Sequence, residues 1–131
     1  MATVPLLTDA DAPPKARAVF DDIRAARQTD YVNNFWRAMA NEPDTMAAVW
    51  DRLKQVMGPG ALDPLVKEMI YVAVSVANGC EYCVHSHTAA AKAKGMSDDM
   101  HGELLAVIGM AAQTNALATA MQVPVDDRFE V

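Results

Sequence analysis

This sequence predicts an all-α fold, a compact bundle built around a central antiparallel helical hairpin, on three observations. Apolar residues recur at helical spacing in successive segments, and strand-type alternation is confined to short patches. Prolines and glycines punctuate the boundaries between those segments. Hydrophobic residues make up 52% of the chain but aromatics only 6%, so Ala, Val, Leu and Met must fill the interior, and small side chains suit closely packed helices.

The elements follow in order. Residues 1–14 read as an extended arm, because Pro5 and the Pro13-Pro14 pair resist regular structure. A helix over about 15–27 can bury Val19, Phe20 and Ile23, and a second, near 31–41, carries Phe35, Trp36 and Met39. Pro43 suits a helix start, and Met46, Val49, Trp50, Leu53 and Met57 follow at helical spacing. Gly58-Pro59-Gly60 breaks the chain. Asp63 is a good N-cap with Pro64 at the first helical position, opening a helix to about Ala77. Asn78-Gly79 ends it and permits a tight reversal. The next helix starts near Cys80 and stops at Gly95; Ser97 caps a last one that runs towards Met121, with Gly109 a place for a bend. No internal repeat or low-complexity tract interrupts the 131 residues, which by length read as a single domain.

Charge and composition narrow the function. A net charge of −6 and a pI near 4.8 argue against nucleic acid, which needs a basic face. The N-terminus shows no positively charged start leading into an apolar stretch, and no apolar run reads as long enough to span a bilayer, so neither export nor membrane association is expected. A chain with two thiols and no export signal is expected to work in the reducing cytoplasm, where a Cys-x-x-Cys is catalytic or metal-bound.

The chemistry centres on those two cysteines, Cys80 and Cys83, in the run from Asn78 to His87. At a helix start they face free backbone N–H groups and the positive end of the helix dipole, which favour thiolate. A Cys-x-x-Cys there suits a thiol that ionises, attacks and is relieved by its neighbour as a disulfide. At about 100° per residue, Cys80, Cys83 and His87 share one stripe, continued by Ala90 and Ala91, while Glu81, His85, Thr88 and Lys92 lie on a more polar face. On the preceding helix Lys67, Glu68, Tyr71, Ser75 and Asn78 share one side. The reversal at Gly79 pairs the two helices antiparallel. Glu68 lies eleven residues before it and His87 eight after, so at about 1.5 Å per residue they sit within about one turn of the same level. Glu68 can then reach His87, directly or through water, with Cys83 one turn from the imidazole: a carboxylate, an imidazole and a thiol in series form a proton relay.

Each residue also has a plainer reading. Cysteine is often only a small buried hydrophobe, a reading that fits a lone cysteine better than this pair. Cys80, Cys83 and His85 or His87, with Glu68, could also supply zinc ligands, although structural zinc sites usually bring two separated ligand pairs. Haem attachment requires His directly after the second cysteine, and Val84 stands there. Glu68 alone reads as a solvated helix residue, and its polar stripe as an ordinary exposed face. His85 reads as a surface residue and His101 as structural. The nine methionines read as core filler ahead of a channel lining, and Trp36 and Trp50 as core or subunit contacts. The helix from Pro64 to Ala77 is apolar over most of its circumference, which an oligomer would bury between subunits.

Glu68, Cys80, Cys83 and His87, spaced E-x11-C-x2-C-x3-H, resemble the signature of the AhpD-like alkylhydroperoxidases within the carboxymuconolactone decarboxylase superfamily. The resemblance covers best 62–97, and extends more loosely to 34–38, 41–43 and Asn115. It implies an all-α bundle associated as a trimer or hexamer, with no cofactor and no resident metal. It also implies a hydroperoxide substrate: Cys83 attacks the peroxide oxygen, Cys80 supplies a proton and closes the disulfide, and Glu68 and His87 move protons. Electrons then come from a dithiol carrier, a lipoyl protein or a thioredoxin-like one, and a peroxiredoxin partner fits the same scheme. Some members place a histidine just before the second cysteine, where this chain has Tyr82. The resulting expectation is a thiol-dependent peroxidase or disulfide oxidoreductase. A zinc-binding or oxidant-sensing module without turnover, and a lyase-like member of the decarboxylase branch, are the alternatives.

Overall fold

Why the chain folds as it does is clearest one unit at a time. The computed structural model describes residues 1–129, which hold six α-helices, a closing 3-10 turn over Asp127–Phe129 and, among the described residues, no strand. They group into two compact units, Met1–Gly58 and the remainder from Pro59 on.

The first unit contains α1 (Pro14–Arg27), α2 (Asn34–Met39) and α3 (Pro43–Met57). Prolines occupy the first turns of α1 and α3, where a missing N–H costs nothing. Phe20, Ile23, Val32, Trp36, Met46 and Trp50 form the core, with the two indoles edge to face at 5.3 Å. The N-terminal arm is pinned rather than loose: the Leu7 N–H donates to the Arg37 carbonyl, and Asp9 receives both Arg24 and Arg37. Helix α2 is shorter than its sequence pattern predicts. The guanidiniums of Arg24 and Arg37 donate to the carbonyls of Asp30 and Val32, holding residues just before the helix in an irregular course.

The second unit contains α4 (Pro64–Ala77), α5 (Glu81–Ala93) and α6 (Asp98–Met121). The Asp63 carboxylate caps α4 by accepting from the Leu65 N–H, and the Ser97 hydroxyl caps α6 by accepting from Met100 N–H. One C-terminal motif is used twice. At the end of α4 the Cys80 N–H donates to the Ser75 carbonyl and the Gly79 N–H to that of Val76, with Gly79 at φ +67°. At the end of α5 the Met96 N–H donates to Ala91 and the Gly95 N–H to Lys92, with Gly95 at φ +104°. Met96 folds down onto Ala91, and with Val72 and Leu104 these form the core of the unit.

Helix α4 packs against both α5 and α6. Its polar stripe faces inward: Glu68 is 5% exposed and Ser75 4%. Its apolar residues Val66, Ile70 and Val74 point outward, the last two 48% and 52% exposed. Of the two readings of Glu68, a solvated helix residue or a partner of His87, the fold has the second. Groups from α5 satisfy its carboxylate, and a satisfied polar group can be buried at little net cost. Helix α6 continues unbroken through Gly109 and buries chiefly Leu104, leaving Leu105, Val107, Met110 and Leu117 exposed. Residues 104–125 carry no charge. Contrary to the sequence expectation, this helix is long and apolar enough to cross a membrane by length and composition.

Candidate functional site

The site lies in the α4–α5 hairpin, and the turn at Gly79 positions it. Because Gly79 takes the left-handed conformation that a Cβ disfavours, the chain reverses at once. Cys80 becomes the N-cap of α5, with the Cys83 N–H donating to its sulfur at 3.2 Å. Cys83 follows in the first turn and His87 one turn later. Cys80 and Cys83 are joined as a disulfide, with Cα atoms 5.2 Å apart. Both are partly exposed, and Tyr82 between them is exposed.

From the facing helix, Glu68 brings its Oε2 to 2.7 Å from the Nδ1 of His87. The direct contact is made and no water is needed. The Lys94 ammonium donates to the other oxygen, Oε1, at 2.9 Å. Burial pushes the Glu68 carboxyl up, but the hydrogen bonds and charges of His87 and Lys94 outweigh it and hold the group below its ordinary value. An ionised carboxylate only accepts, so His87 Nδ1 carries the proton of that bond, and in the neutral ring Nε2 keeps a free lone pair. The ring's plane is set by Tyr71, stacked on it with centroids 3.5 Å apart and planes 17° from parallel. One turn on, the buried Ser75 hydroxyl is satisfied within the helix, donating to the backbone carbonyl of Tyr71 at 2.7 Å.

All four predicted site residues thus gather in this hairpin. His85 is exposed and His101 lies on α6. Among the described residues no three His, Cys, Asp or Glu side chains are grouped to hold a metal ion. Glu68 is engaged by His87 and Lys94, and the sulfurs by each other. Two residues of the site escape sequence reasoning: the pattern places Tyr71 only in a polar stripe and gives Lys94 no role. A lysine at the end of a helix ordinarily answers the dipole, so its spacing from Glu68 carries no signal until the hairpin is closed.

The chain's similarities to known proteins extend beyond this hairpin. The model of the carboxymuconolactone decarboxylase family matches residues 43–126. The chain is 31% identical over 106 residues to the alkyl hydroperoxide reductase AhpD of Solibacter usitatus (strain Ellin6076), covering 79% of this chain and 58% of that protein. It is 31% identical over 121 residues to the AhpD of Anaeromyxobacter dehalogenans (strain 2CP-C), covering 89% of this chain and 62% of that one. It therefore spans less than two thirds of the length of either. The fold superimposes with a TM-score of 0.97 on the crystal structure of the alkylhydroperoxidase AhpD core from Rhodospirillum rubrum, at 62% identity over 100% of this chain and 98% of that one.

Proposed function

Since the chain belongs to the carboxymuconolactone decarboxylase family, we propose that it is an alkylhydroperoxidase-type thiol oxidoreductase that reduces hydroperoxides through the Cys80–Cys83 couple. The observation that carries this reading is the closed dithiol pair on the same helix as an imidazole that is itself held by a buried carboxylate. A thiol pair alone would serve many ends. A pair one turn from a base whose tautomer is fixed suits a nucleophile that must be deprotonated on demand.

The proposed cycle starts from the dithiol. The Cys83 thiol gives its proton to His87 Nε2, and the thiolate attacks the terminal peroxide oxygen. The S–O bond forms as the O–O bond breaks, and the leaving alkoxide takes the proton of the Cys80 thiol to become the alcohol. The Cys80 thiolate then attacks the sulfur of the Cys83 sulfenic acid. As the disulfide forms, hydroxide leaves with the proton held by His87, giving water and a neutral ring. An external dithiol, on a lipoyl or thioredoxin-like protein, returns two electrons and two protons, and a peroxiredoxin partner belongs to the same scheme. Glu68 keeps the Nδ1–H tautomer throughout. The oxidised pair seen here corresponds to the end of the oxidative half of this cycle.

The protein is further proposed to act in the cytoplasm as a homo-oligomer, a trimer or hexamer. Support for the assembly comes from the outward apolar rows of α4 and α6.

The test is peroxide consumption with a dithiol reductant by wild type, Cys83→Ser and Cys80→Ser, each stripped of metal. Multiple turnovers lost in Cys83→Ser, with a sulfenic acid trapped in Cys80→Ser, are expected. A single stoichiometric oxidation without turnover would instead mark a sensor, and turnover of a lactone surviving both substitutions a lyase.

A further inference from the structure

We propose that Lys94 is a positioning residue of this site: its ammonium keeps the buried Glu68 carboxylate ionised and aimed at His87, and so sets the acidic limit of the chemistry. The inference deepens the peroxidase reading and rests on it.

Glu68 has two oxygens, and each has a dedicated partner: Oε2 meets His87 Nδ1 at 2.7 Å, Oε1 meets Lys94 Nζ at 2.9 Å. The Glu68 side chain is only 6% exposed, so water is poorly placed to replace a lost partner. The charges explain why two partners are required. When His87 is neutral and ready to accept a proton, it offers no positive charge to a buried anion. Lys94 supplies it. Without Lys94 the buried carboxylate is balanced only when His87 is already protonated, which leaves no base for Cys83, or when Glu68 itself takes a proton.

The position of Lys94 is built into the backbone. It is the C-cap of α5, held there by Gly95 at φ +104° and by Met96 buried over Ala91. Its neighbour Lys92 makes a useful contrast, pairing at 3.3 Å with an Asp98 that is 94% exposed, a surface pair that water screens. Further titratable groups stand on the same three helices. Helix α4 carries Lys67 and Tyr71, α5 carries His87 and the cysteine pair, and α6 carries exposed Asp98, Asp99 and Glu103 and the partly buried His101. His87 and Lys94 hydrogen-bond the carboxylate.

Two readouts separate this inference from the reading beneath it. The first is the pH titration of the Glu68 carboxyl carbon by NMR in the oxidised protein; the second is the pH profile of peroxide-dependent dithiol oxidation. Each is measured for wild type, Lys94→Met, Lys94→Arg and Lys92→Met. In Lys94→Met the Glu68 midpoint is expected to rise by about one pH unit or more, and the acid limb of turnover to move up with it. Lys94→Arg restores both, and Lys92→Met behaves as wild type. A Glu68 titration unchanged in Lys94→Met overturns the assignment whatever the turnover. A shifted titration with an unmoved acid limb removes Lys94 from the relay. If wild type does not turn over at any pH, the peroxidase reading fails, while the titration still decides whether Lys94 holds the carboxylate.

Discussion

Glu68 is a buried carboxylate with one oxygen bonded to an imidazole and the other to an ammonium. Two outcomes are expected of Glu68→Gln. Turnover should fall by about 10²- to 10⁴-fold, the range for disabling a general base, here the His87 that Glu68 orients, with far-UV circular dichroism unchanged. Stability should also respond to pH differently. A carboxyl held below its ordinary 4.5 contributes stability that is complete above that value and lost as pH falls through the folded-state value. Wild type should therefore lose stability below about pH 4.5 more steeply than Glu68→Gln in urea unfolding at stepped pH. Tyr71 acts through its ring: Tyr71→Phe keeps the stack and should stay near wild-type turnover. Tyr71→Ala frees the imidazole and should lose about tenfold, equivalent to about 1.4 kcal/mol.

At the scale of the element, the two glycine-ended helices matter most. Gly79 turns the chain so that Cys80 caps α5, and Gly95 ends α5 so that Lys94 faces Glu68. A Cβ on Gly79 would meet nothing within 4 Å, yet φ is +67°, so the cost of Gly79→Ala is purely conformational. It should destabilise by about 1–2 kcal/mol, read as a lower urea midpoint at unchanged m-value. Asp63 and Ser97 show the opposite, local kind of information. Each is a cap residue whose role was legible from its neighbours and whose hydrogen bond is present. The start of α2 was not legible, because long-range arginine contacts to the carbonyls of Asp30 and Val32 decide it.

At the scale of the whole molecule, the feature to explain is apolar surface. Ile70 and Val74 on α4 and Val107, Met110 and Leu117 on α6 are exposed in one unit of a 14.1 kDa chain. A single chain leaves that area in water, and association would remove it. Light scattering coupled to gel filtration should give a mass that is a multiple of the chain's. Val107→Asp, which places a charge on the 64%-exposed position, should shift the protein to smaller species. A wild-type protein running as a monomer would remove the proposed trimer or hexamer.

The sequence by itself determined the helices, their caps, the reversal at Gly79 and the pattern Glu68, Cys80, Cys83 and His87, because each depends on residues no more than 19 positions apart and on one helical hairpin. Helical periodicity even placed Glu68 and His87 within about one turn of the same level. Tertiary structure decided between the two readings of the α4 polar stripe, an exposed face or the partner of α5, since a polar stripe and an apolar stripe compete and the winner depends on what the opposite helix offers. It offered an imidazole and an ammonium, so the carboxylate went in and the aliphatic row stayed out. Lys94 belongs to the same class of information: a charge 26 residues from its partner becomes part of the site only when the folded hairpin brings the two ends of the chain segment together.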